Sequence, residues 1–426
     1  MNLREFVSLL DDRGLLVHIR KEVDVKYEVS SVMKELDGKP LIFENVKGFD
    51  MPVVANVCST RELVALGLET TEDKIIPALM SAIENPKEPQ TMGSSDYEEV
   101  EPDLSKIPIL TYYPFDGGPY IASSIIIAKD PEYGINASYQ RTMIIDKENV
   151  VMRILPRDFN TFLERGLNEF AVCVGNTIPM MLAAAISTKT GNSEINIANG
   201  MGDVKLVELG GHTVPESELV MIFETTGRRT KEGPFLDLTE TPDIIREERV
   251  FHLKKMFRRK DSLYHALLPG GLEHKVLMGM PREPTIWKEV SKVCDCRDVL
   301  VTPGGCSWLH AAVKIKKKGP EDGKKAIDAA FEGHKSMKHV FIVDDDIDIT
   351  NPSEIEWAMA TRFQGDKDIY IFPKSKGSSL DPSADPNTRE TCKVGFDLTI
   401  PWGKNPEDFK KPKKPMEIDI KDYLEV

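Results

Sequence analysis

Ser123-Ser-Ile-Ile-Ile-Ala128 opens a series of short apolar runs that decides the fold. Thr142-Met-Ile-Ile145, Val150-Val-Met-Arg-Ile154, Glu218-Leu-Val-Met-Ile-Phe223 and Leu263-Tyr-His-Ala-Leu-Leu268 follow it, with Gly and Pro between them. Runs of this length, rich in Ile and Val and bounded by turn residues, predict strands rather than helices. From Ile107 to about Met280 the chain therefore reads as a β-barrel or sandwich with a few inserted helices, among them Asn160 to Phe170.

On the N-terminal side, Leu3, Phe6, Val7 and Leu10 recur at helical spacing, and Gly14 stops the pattern before a strand-like Leu15 to Ile19. Leu41-Ile-Phe43 and Val53-Val-Ala55 predict strands, and Glu62 to Leu68 a helix, giving a small α/β unit. Asn85 to Lys106 is polar, carries Pro and lacks periodicity, so it reads as a linker. On the C-terminal side, helices are expected at Trp287 to Val293, Lys324 to Phe331 and Ser353 to Phe363. They alternate with strands at Asp298 to Thr302, Ala311 to Ile315, His339 to Val343 and Ile369 to Phe372, which predicts an α/β sheet. Thr350 or Asn351 can cap the third helix, with Pro352 in its first turn. After Pro373 the chain reads as loop, and from Pro401 as a charged, Pro-rich tail. The fold class is thus α/β in the mixed α+β sense.

The 426 residues suit about three folding units. Hydrophobic residues make up 41% and charged ones 29%, which excludes a disordered or low-complexity chain. Lys and Arg number 55 against 69 Asp and Glu, a net charge of −14, so neither nucleic acid nor an anionic membrane is an expected partner. The runs Lys314 to Lys318 and Lys410 to Lys414 read as solvated strand-end and tail residues. No apolar run approaches the roughly 20 residues of a spanning helix. Charges at Arg4 and Glu5 stand where a signal peptide's apolar core would begin, so a cytoplasmic location is expected. The six cysteines suit reduced thiols. Cys294, Cys296, Cys306 and His310 would make four zinc ligands, but Cys-x-Cys spacing is atypical and ordinary thiols are the stronger reading.

Dinucleotide fingerprint, P-loop, His-Glu-x-x-His and Gly-x-Ser-x-Gly elbow are all lacking. Asp344-Asp-Asp346 suits either a magnesium site or a solvated strand-to-helix turn, the turn being favoured. More informative are Asn136-Ala-Ser-Tyr-Gln-Arg141 and Glu232-Gly-Pro-Phe-Leu-Asp237. A Gly-Pro turn between two carboxylates holds both near one place. An arginine facing them keeps one ionised while the other is free to exchange a proton. The group suits acid–base chemistry, or a structural ion pair at a barrel rim.

These two strings, Pro303-Gly-Gly-Cys-Ser307, Val343-Asp-Asp-Asp346 and Cys392-Lys-Val-Gly-Phe-Asp-Leu-Thr399 occur in an order and spacing that resembles the UbiD family of decarboxylases, which use prenylated FMN. The resemblance implies an N-terminal α/β unit with linker (1–106), a split β-barrel that holds the flavin (107–282), a C-terminal α/β domain used in oligomerisation (283–400) and a charged tail (401–426). It implies that Asn136 and Glu194, in Ser193-Glu-Ile-Asn-Ile-Ala198, bind a manganese-type divalent ion, with a potassium ion as a further candidate. Tyr139, Gln140, Arg141, Arg153, Ile154, Leu155 and Lys393 match cofactor-contacting positions. Arg141, Glu232 and Asp237 match the catalytic network, Asp237 as proton donor. Several members carry a further metal-ligating histidine where this chain reads Arg153-Ile-Leu-Pro-Arg157-Asp158, so its metal shell departs from theirs.

The implied activity is non-oxidative decarboxylation of an unsaturated carboxylic acid by a homo-oligomer supplied with cofactor by a flavin prenyltransferase. Leu267-Leu-Pro-Gly-Gly-Leu-Glu-His-Lys275 and the short chain look like archaeal members that convert trans-anhydromevalonate 5-phosphate to isopentenyl phosphate. His274, Lys275 or Arg157 would then supply cations for the substrate phosphate. The alternatives are a 4-hydroxy-3-polyprenylbenzoate or other aromatic acid decarboxylase, a hydride-transferring flavoprotein, and a non-catalytic oligomeric scaffold.

Overall fold

The computed structural model of the chain describes residues 1–412, 415–418 and 423, so part of the expected 401–426 tail lies outside the described residues. The first helix, Leu3–Asp12, buries Leu3, Phe6, Val7 and Leu10 on one face, and Asn2 closes a capping box with Glu5. Such a cap contributes about 1 kcal/mol. Gly14 then turns the chain at φ +67°, a conformation that costs glycine little.

Four strands make the N-terminal sheet, in the order Val17–Ile19, Leu41–Phe43, Val53–Ala55 and Tyr264–Ala266. The last differs from expectation: the 263–268 run does not join the central sheet but returns to pair in parallel with Val53–Ala55. Three further helices, Glu28–Glu35, Arg61–Gly67 and Ile75–Glu84, complete this unit, the second of them where Glu62 to Leu68 was expected.

The central sheet has nine strands. Its path runs Tyr120–Ile121, Thr142–Ile144, Asn149–Met152, Arg246–Arg259, Ser217–Glu232, Glu169–Asn176, Ile125–Asp130 and Gly134–Tyr139, with Tyr97–Val100 added beside Arg246–Arg259. The stretch 85–106 is therefore more than a linker, since Tyr97–Val100 and Gln90–Thr91 both pair with strands. The expected helix at 160–170 is shorter, Asp158–Glu164. Gly166 at φ +97° ends it, and Glu169–Asn176 is a strand whose Phe170 packs on Phe223 and Phe251.

Among the described residues no ladder closes this sheet, so it is an open, split arrangement. The strand Gly134–Tyr139 at one end of the path reaches Thr142 near the other end through only Gln140 and Arg141. Ser124 pins that crossing, its hydroxyl donating to the Gln140 carbonyl (2.5 Å) and meeting the Thr142 hydroxyl (3.1 Å). Arg141 is thus held at the seam.

The C-terminal sheet has five strands in the order Asp295–Val301, His310–Lys316, His339–Asp344, Glu390–Asp397 and Ile369–Lys376. Glu390–Asp397 corrects the expectation of loop after Pro373, and it lies inside the sheet rather than at an edge. Alternate residues divide between two cores. Val299, Val301 and Val313 pack under helices Glu283–Ser291 and Asp322–Gly333, while Leu300, Ala312 and Val343 pack with Ala358 of Pro352–Arg362. Asn351 caps that last helix, accepting from the Ser353 N–H, and Pro352 takes the first position. Among the described residues no helix is long and apolar enough to cross a membrane.

Candidate active site

Strand Ser217–Glu232 ends at a carboxylate that is fully buried. The next residue, Gly233, sits at φ +95°, where a side chain is strained and its Cβ would lie 3.2 Å from the Ile244 carbonyl oxygen. The Gly233–Pro234 peptide is cis, and Pro234 accepts the Gly117 N–H at 2.9 Å. This turn brings Asp237 back toward Glu232, as the Gly-Pro pair predicted.

Arg141 meets both acids and a third. Its Nε and Nη2 donate to the two oxygens of Glu232 at 2.9 Å each, Nη2 also donates to Asp243 Oδ2 at 2.9 Å, and Nη1 stands 3.7 Å from Asp237 Oδ2. The Phe235 ring lies against the guanidinium, 5.2 Å from its carbon, and Tyr120 donates its hydroxyl to Glu232 at 3.0 Å. Burial by itself would lower the guanidinium's hold on its proton. The hydrogen bonds and charge of Glu232, then the charges of Asp243 and Asp237, outweigh it and raise the pKa. Burial likewise pushes Asp243 up, but hydrogen bonding from Arg246 and the charges of Arg141 and Arg246 bring it below the usual carboxylate range. Tyr120 is pushed well up, by burial first and Glu232 second, and stays a donor.

Three sequence-distant groups here were not singled out from the sequence. Asp243 is placed by pairing of Phe235–Leu236 with Pro242–Asp243, Arg246 clamps it, and Tyr120 sits on a two-residue strand. A fourth, Asp116, precedes the Gly117 that binds the acid loop. Burial lifts its pKa to about 6 against the backbone bonds from Tyr113 and Tyr112, and its Oδ1 is buried without a partner.

The expected metal pair also meets. Asn136 Nδ2 donates to Glu194 Oε1 at 3.2 Å, and the Ala137 N–H and Thr188 hydroxyl hold the same carboxylate at 2.8 and 3.3 Å. Glu194 is buried and surrounded by neutral donors, and burial lifts its pKa to about 7. A buried carboxylate without a cation beside it fits a hard divalent ion that draws its remaining ligands from phosphate and water. The protein alone does not fill a shell: among the described residues no three His, Cys, Asp or Glu side chains group as metal ligands. That finding also removes the zinc reading of Cys294, Cys296, Cys306 and His310. Asp344 and Asp346 are bound by the fully buried Arg362 at 2.9 and 2.7 Å, which makes that run an ion-paired turn.

The remaining expected cofactor positions are spread. Arg153 donates its N–H to the Arg141 carbonyl at 3.3 Å, so the two segments run side by side, while its guanidinium pairs with Glu248 at 2.7 Å. Ile154 is buried and Leu155 is 39% exposed. Gln140 donates to Ser138 at 3.3 Å. The Tyr139 hydroxyl is buried without a partner, near Cys58 and Glu273. Lys393 is outside the Arg141 cluster: its Nζ donates to the Lys335 carbonyl at 2.6 Å over the Phe331 ring. Of the three cations expected for a substrate phosphate, two are otherwise engaged. Lys275 pairs with Glu240 at 2.5 Å. His274 accepts the Gly270 N–H at Nδ1, and burial lowers its pKa despite the charge of Asp237.

The chain is similar to known proteins along nearly its whole length. The 3-octaprenyl-4-hydroxybenzoate carboxy-lyase N-terminal domain of UbiD matches residues 7–83, its Rift-related domain residues 85–272 and its C-terminal domain residues 275–398. The anhydromevalonate phosphate decarboxylase of Methanothermobacter thermautotrophicus is 42% identical over 94% of this chain and 97% of its own. That of Methanocaldococcus jannaschii is 38% identical over 92% and 96%. The UbiD-class enzyme HmfF from Pelotomaculum thermopropionicum, solved with FMN, superposes with a TM-score of 0.95 at 32% identity, covering 100% of both chains. An evolved dimeric form of it, solved with prFMN, gives 0.90 at 31%, covering 99% of this chain and 100% of that one.

Proposed function

The chain belongs to the UbiD family, and from that membership we propose that it is a prenylated-FMN-dependent carboxy-lyase converting trans-anhydromevalonate 5-phosphate to isopentenyl phosphate. The observation that carries the reading is Arg141 gripped side-on, through Nε and Nη2, by the buried Glu232, with Nη1 turned toward Asp237. Relatives that bear this activity in their names align along nearly the whole chain, which favours this substrate over an aromatic acid. A homo-oligomer is part of the proposal, as are a divalent ion at Asn136 and Glu194 and cofactor supply by a flavin prenyltransferase.

Loss of carbon dioxide from a vinylic carbon leaves an electron pair that no side chain here can delocalise. When bound, the prenylated flavin supplies the electron sink. The protein's part is position and protons. Arg141 takes the substrate carboxylate at Nη1, its other nitrogens being committed to Glu232 and Asp243. Glu232 fixes the guanidinium plane, and Tyr120 fixes Glu232. Asp237, about a quarter exposed, accepts a side-chain hydrogen bond from the Leu238 N–H, stands near the charge of Arg141 and beside His274, and is free to carry a proton to the carbon that loses carbon dioxide. Gln140, Arg141, Ile154 and Leu155 line the path on which the flavin would lie.

The test is co-expression with a flavin prenyltransferase, the absorption spectrum of the bound cofactor, and carbon dioxide release from trans-anhydromevalonate 5-phosphate. A prenylated-flavin spectrum with release supports the proposal. Release from 4-hydroxy-3-polyprenylbenzoate alone would reject the substrate, and a protein that takes up no flavin would reject the enzyme.

A further inference from the structure

The loop that carries Asp237 turns tightly. The Glu240 N–H donates to the Asp237 carbonyl at 2.9 Å, and a turn closed in this way keeps its end Cα atoms within about 7 Å of each other. Glu240 thus stands one turn from the acid that faces Arg141. Its backbone sits at φ +59°, a region that residues other than glycine seldom adopt. Gly270 packs against it so closely that a Cβ there would lie 2.9 Å from Glu240 Cγ.

Two lysines from different parts of the chain close on this one carboxylate. Lys34, on helix Glu28–Glu35 of the N-terminal unit, reaches Oε2 at 2.9 Å, and Lys275, on helix Leu272–Gly279, reaches Oε1 at 2.5 Å. The other carboxylate nearby, Asp37, is committed elsewhere, its two oxygens accepting the Leu272 N–H at 3.1 and 3.0 Å. Tyr113 completes the group. Its hydroxyl is buried with no partner, and burial raises its pKa, with the charge of Lys34 opposing and that of Glu240 adding. Cys306 of the Pro303-Gly-Gly-Cys-Ser307 loop borders the same group: burial raises its thiol, and the charges of Lys275 and Glu240 reach it. His274 ties the group to the catalytic arginine, since the charges of Asp237, Lys275 and Arg141 all act on its buried ring.

One carboxylate brings a single negative charge to two ammonium groups and leaves the tyrosine hydroxyl unused. A phosphate monoester carries a charge of about −1.5 to −2 at neutral pH and presents several acceptor oxygens, which match two lysines and a hydroxyl donor. We propose that Lys34, Lys275 and Tyr113 bind the phosphate monoester of the substrate, and that Glu240 is the anion it exchanges with. This deepens the decarboxylase reading above and rests on it. With its carboxylate on Arg141, a short unsaturated acid phosphorylated at its far end spans the single turn from Asp237 to Glu240. An aromatic or polyprenyl acid brings no charge to that end and draws nothing from the lysines, so the group selects the phosphorylated acid.

The experiment titrates isopentenyl phosphate into the FMN-loaded full chain by calorimetry, beside FMN binding and the kinetics of carbon dioxide release from trans-anhydromevalonate 5-phosphate by the holoenzyme. Lys34→Met and Lys275→Met should each weaken isopentenyl phosphate about tenfold or more, leave FMN unchanged, and act on KM more than on kcat. Lys275→Arg, which keeps the charge, should recover part of the loss, and Tyr113→Phe should show a smaller one. Glu240→Gln should bind isopentenyl phosphate more tightly than wild type, because both lysines are released from a competing charge. A merely structural ion pair predicts no such gain.

Lysine variants that bind isopentenyl phosphate like wild type, or a Glu240→Gln variant that binds it no more tightly, overturn the site while carbon dioxide release still supports the enzyme. Weakened FMN with isopentenyl phosphate unchanged likewise overturns it, by giving the lysines to the cofactor. A wild-type protein that neither binds isopentenyl phosphate nor acts on the phosphorylated acid overturns the site and the substrate together. Lys34 is exposed, so its variant remains informative if replacing Lys275 lowers the melting temperature.

Discussion

Arg141 and Glu232 stand 91 residues apart in sequence and meet through two parallel hydrogen bonds of 2.9 Å each, with the carboxylate fully buried and the guanidinium 12% exposed. The pair sits at the seam of the central sheet, so the geometry depends on the fold closing as well as on the two residues. Removing one partner of such a pair leaves the other buried and unmatched, which typically costs about 3–5 kcal/mol.

Glu232→Gln should therefore act on both stability and turnover. An amide turned toward Arg141 offers one acceptor and one opposing donor. The melting temperature should fall by several degrees, and carbon dioxide release by at least about a hundredfold as the guanidinium loses its plane. Parallel melting and turnover assays check this, and a variant with wild-type turnover would remove Glu232 from the positioning role.

Asp237→Asn separates proton delivery from architecture. Asp237 makes no short hydrogen bond to Arg141, its nearest oxygen being 3.7 Å away, so the amide should fold as wild type and bind flavin with an unchanged spectrum. Turnover should nevertheless vanish, because an amide cannot donate and recover a proton at neutral pH. Retained turnover in a variant whose spectrum and melting are unchanged would pass the proton to another group, and Asp116 would be the next to replace.

What the sequence could and could not announce follows from how local each signal was. Ile125–Ile127 and Leu219–Phe223 are apolar runs whose strand character needs no partner to be read. Glu390–Asp397 buries Lys393, Gly395 and Asp397 rather than the Cys392, Val394 and Phe396 between them, so its place in the sheet comes from neighbours on both sides rather than from an apolar face of its own. Helix Glu28–Glu35 follows a left-handed Tyr27 and has no side-chain cap, which removes the usual start signal. In the site, Arg141, Glu232 and Asp237 were visible because a Gly-Pro turn and a polar strand end are short-range patterns. Asp243 and Tyr120 were not, since each depends on a contact made across the folded chain.

Metal binding should be weak in the absence of a phosphate ligand. Asn136 and Glu194 offer two oxygen donors, and no third acidic, histidine or cysteine ligand groups with them among the described residues. Free Mn²⁺ measured by electron paramagnetic resonance should be depleted only modestly by the protein alone and more strongly once FMN is added. Glu194→Gln should abolish both. Tight Mn²⁺ binding that survives this substitution would place the ion elsewhere.

Acid should draw down the stability that two buried histidines of the C-terminal unit contribute. His334 is held down to about 3, by burial first and then by the charge of Arg282, while its Nε2 bonds the Trp308 carbonyl and Lys393 adds a further positive neighbour. His310 is held down to about 4 by burial and by His339, 2.9 Å away, and Lys338, against the pull of Asp381. Both folded values lie below the ordinary 6.5, so the unfolded chain binds more protons between them. The stability these groups contribute is complete above pH 6.5 and is lost as pH falls toward 4 and then 3, with a slope approaching about 1.4 kcal/mol per pH unit for each. Asp116, raised to about 6, and Glu194 and Glu283, each raised to about 7, work in the opposite direction, their contributions being lost as pH rises through those values. In thermal melts from pH 7.5 to 4.5, His334→Gln should lose less stability on acidification than wild type, by the share of one group. An identical profile in that variant would mean that His334 titrates normally in the folded protein and that the Trp308 contact does not hold it neutral.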